Sequence, residues 1–361
     1  MSEYQSYESG PASVQKPTPD VEGADVSRTA RAFWLVEPGS GEIHSVILPD
    51  PGVGEVLVRT LVSGISRGTE ALVFRGGVPE SQYAVMRAPF QEGDFPAPVK
   101  YGYLNVGVVD EGPEDLLGRR VFTLYPHQTA FVVPVDAVSV VPDDVPSRRA
   151  VLAGTVETAV NALWDARPLV GDRVAVVGAG MVGLCVARLL TGIPGVTTTV
   201  VDTDAARAEV AESLGASFAS PADAPTDLDL VVHASGTSAG LQLSLDVLGA
   251  DGVVTDLSWY GDAPVELALG GRFHSARLGI RASQVGEIAE ARRSRRTHAD
   301  RMALALRLLA DPFFDALLSG ESAFDELPEL MGKLASGSLP ALCHTVAYAT
   351  DEAAPERVPE T

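Results

Sequence analysis

Three glycines carry the clearest chemical signal in this sequence. In "VAVVGAGMVG" they fall at Gly178, Gly180 and Gly183, a GxGxxG spacing that follows an apolar run and opens a helical one. Each position has a physical reason: Gly178 permits a tight turn, Gly180 lets the backbone approach a pyrophosphate, and Gly183 lets the helix pack closely on the strand. Met181 and Val182 then begin the helix whose free N–H groups and dipole would hold the phosphates. Asp202 closes the next apolar run, about 20 residues further on, where an acidic side chain accepts ribose hydroxyls. The same carboxylate would face the 2′-phosphate of NADP(H), two like charges at ~4 Å costing about 1 to 4 kcal/mol, so NAD(H) is the expected cofactor and NADP(H) the less favoured one. Arg207 is the counterweight, either accommodating a 2′-phosphate or standing as a solvated helix residue.

Elements around this motif must hold it in place. From residue 32 to 146 short β-branched and aromatic runs alternate with Gly and Pro, the mark of a β-rich segment, and nothing there reads as a long helix. After "VPSRRA" apolar strands alternate with helices as far as Ser283, which implies a parallel sheet covered on both faces. Two helical stretches, "HADRMALALRLLAD" and "FDELPELMGKLASG", precede a last strand, "ALCHTVAYA". The expected organisation is a disordered polar tail over 1–28, a catalytic domain over 29–150, a cofactor-binding domain over 151–283, a return segment of the catalytic domain over 284–350, and a tail over 351–361.

Composition removes several classes of function. A chain of 361 residues with 27 basic and 48 acidic side chains carries a formal charge of −21, which repels a nucleic-acid backbone. Two cysteines, Cys185 and Cys343, make no disulfide framework, and a reducing, cytoplasmic location is expected. No apolar run approaches the roughly 18 residues that span a bilayer, and no basic segment followed by an apolar one opens the chain. The expected partners are a small-molecule substrate and a second copy of the chain, as a homodimer, with no nucleic acid and no membrane.

The order of parts resembles the medium-chain dehydrogenase/reductase superfamily, the alcohol dehydrogenase-like and quinone reductase-like enzymes, over roughly Ala32 to Tyr348. "GEVLVRTLVSGISRGTE" looks like the family's GEVLV…GICGTD segment, "KYGYLNVGVVDEG" stands where P…GHE…G.V…VG is usual, and the glycine motif through "VVDTD" is similar to its cofactor half. The resemblance implies an α/β fold, a β-rich GroES-like catalytic domain plus a Rossmann parallel-sheet domain. Its "SRGTE" form most resembles a zinc-free branch that includes bacteriochlorophyllide dehydrogenase-like proteins. Departures from the pattern matter as much as matches. Ser66 stands at the cysteine ligand position of zinc-dependent members, Tyr103 at the histidine of GHE, and Gly154 nearest the third ligand. A serine hydroxyl and a phenol do not replace thiolate and imidazole at neutral pH, so no zinc is expected. The lobe with four closely spaced cysteines is absent. Glu70 and Glu157 remain as carboxylates that would ligate a metal or pair with cations.

Without zinc, side chains must handle the proton and stabilise the substrate oxygen. Tyr103 is the first candidate for the proton donor, against a role as an ordinary strand tyrosine. Lys100, one of three lysines, would lower the phenol's pKa if a turn at Gly102 brought the two together. His127, on the loop "LYPHQTA", is a second proton-transfer candidate. The resemblance turns the segment Ser66–Glu70 toward cofactor and substrate, with Thr69 as a hydroxyl relay or a cap and Arg67 as a phosphate ligand. It places Thr155 and Thr158 near the nicotinamide unless they bond back to their own helix. Ser235 ends a strand that meets cofactor in the family. Trp259 and Tyr260, at another strand end, would stack on a flat ligand or serve as core or interface residues. The expected activity is a zinc-independent, NAD(H)-dependent interconversion of an alcohol and a carbonyl in a cleft between the two domains. Reduction of an activated carbon–carbon double bond and a non-catalytic cofactor-binding role remain as alternatives.

Overall fold

The computed structural model describes residues 27–349 and the two-residue strand 357–358. The tail expected over 1–28 lies outside the described residues up to position 26, and the first strand starts at Ser27, with Arg28 already buried. The expected C-terminal tail also lies largely outside them.

The β-rich part begins with β1 (Ser27–Glu37), β2 (Ser40–Leu48) and the 12-residue β3 (Glu55–Ser66). A helix, α1 (Arg67–Phe74), follows without a loop. Then come β4 (Glu92–Gly93), β5 (Val99–Lys100), β6 (Asn105–Glu111), β7 (Arg120–Thr123), β8 (Ala130–Pro134) and β9 (Val138–Val140). The segment expected as a turn at Ser66–Glu70 is thus the first turn of a helix. Its local cause is Glu70, whose Oε1 accepts the Ser66 N–H at 2.7 Å and so satisfies a donor that the helix start leaves open.

Two short helices, α2 (Ser147–Ala150) and α3 (Ala153–Ala166), lead into the second part. It alternates β10 (Arg173–Val177), α4 (Met181–Thr191), β11 (Thr197–Val201), α5 (Ala208–Ser213), β12 (Ser217–Ala219), β13 (Leu230–His233), α6 (Ser238–Val247), β14 (Val253–Asp256), α7 (Arg272–Ser275) and β15 (Gly279–Ala282). These strands form one parallel sheet in the order β12-β11-β10-β13-β14-β15. Strand order reverses between β10 and β13, and crevices at such points bind ligands at the carboxyl ends of strands. Sequence alternation builds both faces at once. Val174 and Val176 belong to the core shared with α3, α4 and α8 (His298–Leu308), whereas Ala175 and Val177 belong to the core under α6. A strand buried on both sides therefore reads as an unbroken apolar run.

After α8 the chain returns through β16 (Leu318–Ala323), α9 (Leu327–Ser336) and β17 (Cys343–Ala347) to the β-rich part. There β17 pairs antiparallel with the end of β3, Cys343 opposite Ser66 and Ala347 opposite Val62. The last described strand, β18 (Arg357–Val358), pairs with the start of β1, within the stretch expected to be a tail.

One buried guanidinium fixes α8 to α3 within the second part. Arg301 of α8 is 1% exposed; its Nε donates to Glu157 Oε1 of α3 at 2.9 Å, and its Nη1 and Nη2 donate to Asn161 Oδ1 and the Val285 carbonyl at 2.7 and 2.5 Å. The carboxylate considered above as a metal ligand is therefore committed to an ion pair. Burial raises the Glu157 pKa and the Arg301 charge opposes that rise. Arg301→Met should leave Glu157 buried without its counter-charge and cost about 3–5 kcal/mol, read as a lower urea midpoint. Adding Glu157→Leu should restore part of the loss, and a single variant as stable as wild type would show that the pair does not hold α8 on α3.

Candidate functional site

At the cofactor edge the three glycines do different things. Gly178 has φ +111°, and a Cβ there would lie 2.6 Å from the Ser235 backbone nitrogen, so only glycine lets the ends of β10 and β13 approach. A Cβ on Gly183 would lie 2.0 Å from the Gly178 carbonyl oxygen, which is the close packing of helix on turn. Nothing lies within 4 Å of a Cβ on Gly180, leaving free space beside the backbone where a pyrophosphate would approach. Gly180 caps α4, and Met181 and Val182 form its first turn with their N–H groups directed to that space.

Asp202 ends β11 half-buried. Its Oδ2 accepts the Ala179 N–H at 2.6 Å and its Oδ1 the Asp204 N–H at 2.9 Å, so the carboxylate also fixes the shape of the glycine turn. Arg207 pairs through Nε with Asp204 at 3.2 Å. Its charge is thus already met by a neighbouring carboxylate.

A polar network closes the ends of β13 and β14. His233, fully buried, contacts Asp256 Oδ1 through Nδ1 at 2.8 Å and Ser235 Oγ through Nε2 at 2.7 Å. The Tyr260 hydroxyl donates to Asp256 Oδ2 at 2.9 Å and the Ser258 N–H to Asp256 Oδ1 at 2.9 Å. Tyr260 is therefore bound into this network, while Trp259 packs on the apolar core of the β-rich part. Both aromatics are partly buried, Trp259 against the core of the β-rich part and Tyr260 against the core under α6. Sequence reasoning missed Asp256 and Ser258, because strand ends far apart in the chain give no local pattern.

In the β-rich part, the β3–α1 junction gathers hydroxyls. The Tyr103 phenol neighbours the side chains of Ser66 and Thr69, and its ring lies between the two main cores of the molecule. Burial, then the Glu70 charge, pushes its pKa up to about 12, although the neighbouring Ser66 and Thr69 side chains pull the other way. Glu70 is 3% exposed, and its Oε2 lies 2.9 Å from Nε2 of His127, itself 1% exposed. From His127 Nδ1 the contacts continue to Ser63 Oγ at 2.7 Å and on to the Tyr348 hydroxyl at 2.9 Å. His127 reaches the junction through Glu70 rather than lining the cleft itself. Ser63 and Tyr348, 285 positions apart, had no signal in the sequence.

Several expectations are corrected here. Lys100 does not meet Tyr103. Gly102 does turn, with φ +135°, but it lets the chain pass over His127, whose Cδ2 would lie 3.0 Å from a Cβ there. The Lys100 ammonium instead pairs with Glu92, donates to Gln128 Oε1 at 2.7 Å and lies 5.3 Å from the Tyr125 ring centre. Burial lowers its pKa against the pull of Glu92, and the phenol of Tyr103 is raised rather than lowered. Thr158 Oγ1 bonds back to the Gly154 carbonyl at 2.9 Å, and Thr155 is buried in the same helix. Arg67 is exposed, with Nη1 3.3 Å from the Ala341 carbonyl, away from the glycine turn. At Gly154 a Cβ would lie 2.7 Å from Leu104 Cδ2, so packing leaves no room for a ligating side chain there. Among the described residues no group of three or more His, Cys, Asp or Glu side chains stands together as a metal site. A groove of about 480 Å³ at the opposite, amino edge of the parallel sheet lies far along the strands from both clusters.

No family model matches the chain. It is 27% identical over 224 residues to the starvation-sensing protein RspB of Escherichia coli K12, a match covering 52% of this chain and 62% of that protein. The chain thus aligns with less than two thirds of that relative's length. Among solved structures, the short chain alcohol dehydrogenase RspB of E. coli CFT073, complexed with NADH, superposes with a TM-score of 0.71 at 18% identity, covering 89% of this chain and 99% of that one. A putative zinc-binding dehydrogenase from Sinorhizobium meliloti 1021, bound to NADP, gives 0.70 at 18% identity, covering 88% and 99%. The chain therefore has the fold of medium-chain alcohol dehydrogenases, a β-rich domain joined to a Rossmann domain.

Burial of phenols has a consequence for alkaline pH. Tyr101, Tyr103, Tyr125 and Tyr348 all have raised pKa values, chiefly through desolvation. An unfolded tyrosine ionises near 10, so the folded state keeps protons that the unfolded chain loses. Stability should be complete below pH 10 and fall as pH rises from 10 towards 12. Urea midpoints at pH 8 and pH 11 measure this, and Tyr103→Phe should make the drop smaller; an equal drop would place Tyr103 in contact with solvent.

Proposed function

We propose that the chain is an NAD(H)-dependent oxidoreductase that interconverts an alcohol and a carbonyl on a small molecule without zinc. The observation that carries this reading is the cluster of Ser66, Thr69 and Tyr103 hydroxyls, backed by buried Glu70, at the junction that lies across the cleft from the glycine turn. A dinucleotide fits the opposite wall. The space beside Gly180 would take its pyrophosphate, and Asp202 its adenosine ribose. When bound, nicotinamide supplies hydride transfer.

The chain's own residues handle the proton. With a pKa near 12, Tyr103 stays protonated at neutral pH and can donate from its hydroxyl to a developing substrate oxygenate. Ser66 and Thr69, whose hydroxyls neighbour that phenol, orient a substrate oxygen beside it and return a proton to it. Glu70 is held by the Ser66 N–H and by His127, so its charge stays beside the phenol without moving into the cleft. His127 is thus a positioning residue, with Ser63 and Tyr348 behind it. Zinc independence is supported by the donor set: two hydroxyls and a glycine at the ligand positions, with Glu70 and Glu157 both committed elsewhere. The NADP-bound neighbour makes the cofactor choice the sharpest point of the reading, and pairing of Arg207 with Asp204 supports NAD(H).

Calorimetric titration with NADH and NADPH should give at least about 10-fold tighter binding of NADH, a difference of about 1.4 kcal/mol. Equal or tighter binding of NADPH would contradict the role of Asp202, and Gly180→Val should abolish binding of both. In a screen of secondary alcohols with NAD⁺, read as NADH absorbance, Tyr103→Phe should lower turnover about 10²- to 10⁴-fold with cofactor affinity unchanged. Metal analysis of the same preparation should find no stoichiometric zinc. Full turnover in Tyr103→Phe, or one zinc per chain lost together with activity, would overturn the mechanism.

A further inference from the structure

We propose that Ser235, His233 and Asp256 form a second, acyl-accepting centre, in which the Ser235 hydroxyl takes the acyl group of an activated carboxylic ester when the cofactor groove is empty. The oxidoreductase reading has no use for a buried imidazole and carboxylate behind this serine. Their geometry is that of an activated nucleophile: Ser235 Oγ to His233 Nε2 is 2.7 Å, and His233 Nδ1 to Asp256 Oδ1 is 2.8 Å. These contacts also fix the direction of each proton. Asp256 accepts hydrogen bonds from the Ser258 N–H and the Tyr260 hydroxyl, which hold it as a carboxylate, so Nδ1 of His233 carries the proton towards it. Nε2 is then the acceptor, and the Ser235 hydroxyl donates inward. Its lone pairs are left on the outer side, where Thr237 Oγ1 is 3.0 Å away.

Exposure follows the same division. His233 and Asp256 are buried, Ser235 is half-buried, and Gly236 and Thr237 beside it are exposed. Ser235 Oγ also rests on the first turn of α6, since a Cβ on Gly240 would lie 2.1 Å from it. The amino end of a 10-residue helix therefore stands beside the atom that would attack, with a dipole suited to a developing oxyanion. In the step, Ser235 Oγ bonds to the ester carbonyl carbon while its proton passes to His233 Nε2. The C–O bond to the leaving group then breaks, and the alcohol or phenol departs with that proton. Water, deprotonated by His233, releases the carboxylic acid and restores the serine.

The full chain, freed of dinucleotide, is treated with 4-nitrophenyl acetate and followed by nitrophenolate release, intact mass and peptide mapping. One acetyl group on the peptide containing Ser235 is expected. Three lysines in the whole chain keep side reactions few. Ser235→Ala should remove that label, and His233→Gln and Asp256→Asn should each slow release about 10²-fold or more. Because substitutions at the buried pair can disturb folding, Ser235→Ala is the deciding variant, with its thermal midpoint measured alongside. Labelling spread over other residues at a rate unchanged in a folded Ser235→Ala variant would overturn the proposal. Protection by NADH is expected as well, and that arm rests on the cofactor reading above. Acetylation of Ser235 that NADH does not slow would support the acyl centre and remove the cofactor from this edge. Failure to acetylate while NADH still binds would sink the acyl centre alone.

Discussion

A single buried carboxylate holds the reaction side of this molecule together. Glu70 is nearly inaccessible, yet it has no lysine or arginine beside it in the contacts that define it; it is satisfied by the Ser66 N–H and by His127. An unsatisfied carboxylate in that position would carry a desolvation cost of several kcal/mol, so these partners are structural conditions for folding as well as chemical ones. Through them the start of α1, the loop bearing His127, the middle of β3 at Ser63 and the far end of β17 beside Tyr348 are fixed relative to one another. Burial, with the same charge beside it, raises the pKa of Tyr103 and keeps the phenol protonated.

On the other wall the governing constraint is steric. Gly178 permits β10 and β13 to end almost in contact, and Gly183 permits α4 to start against the turn. That compression brings the amino end of α4 against the carboxyl ends of β10 and β13. The two parts are joined by a shared apolar core, in which Val62, Leu104, Val106 and Phe122 pack with residues of α3, β10 and α4, and by Trp259 packed on the core of the β-rich part.

Legibility from the sequence followed the range of the interactions. The glycine turn, Asp202 and the alternation of the parallel sheet depend on neighbours within a few residues, or on burial of both faces, and both leave a local trace. Ser66 and Tyr103 drew attention as departures from a family pattern, and Thr69 as its neighbour in the same segment. Lys100 was misplaced for the opposite reason. A turn at Gly102 was correctly required, but Glu92 and Gln128 capture the ammonium, and no spacing reveals partners that lie on other strands. Glu70 read as an ambiguous carboxylate until His127 was brought beside it from 57 positions away. The long-range networks at Ser63–Tyr348 and at Asp256 belong to the same class.

The central claim is that nicotinamide and the Tyr103 phenol meet across the cleft, and a crystal structure of the full chain with NADH tests it most directly. The account places the pyrophosphate beside Gly180, the adenosine ribose on Asp202, and the nicotinamide ring with the Tyr103 hydroxyl within hydrogen-bonding reach of a substrate oxygen held against it, about 2.6–3.2 Å. NADH bound with its ring turned away from the Ser66–Thr69–Tyr103 cluster, or a metal ion bound between Ser66 and Tyr103, would contradict it.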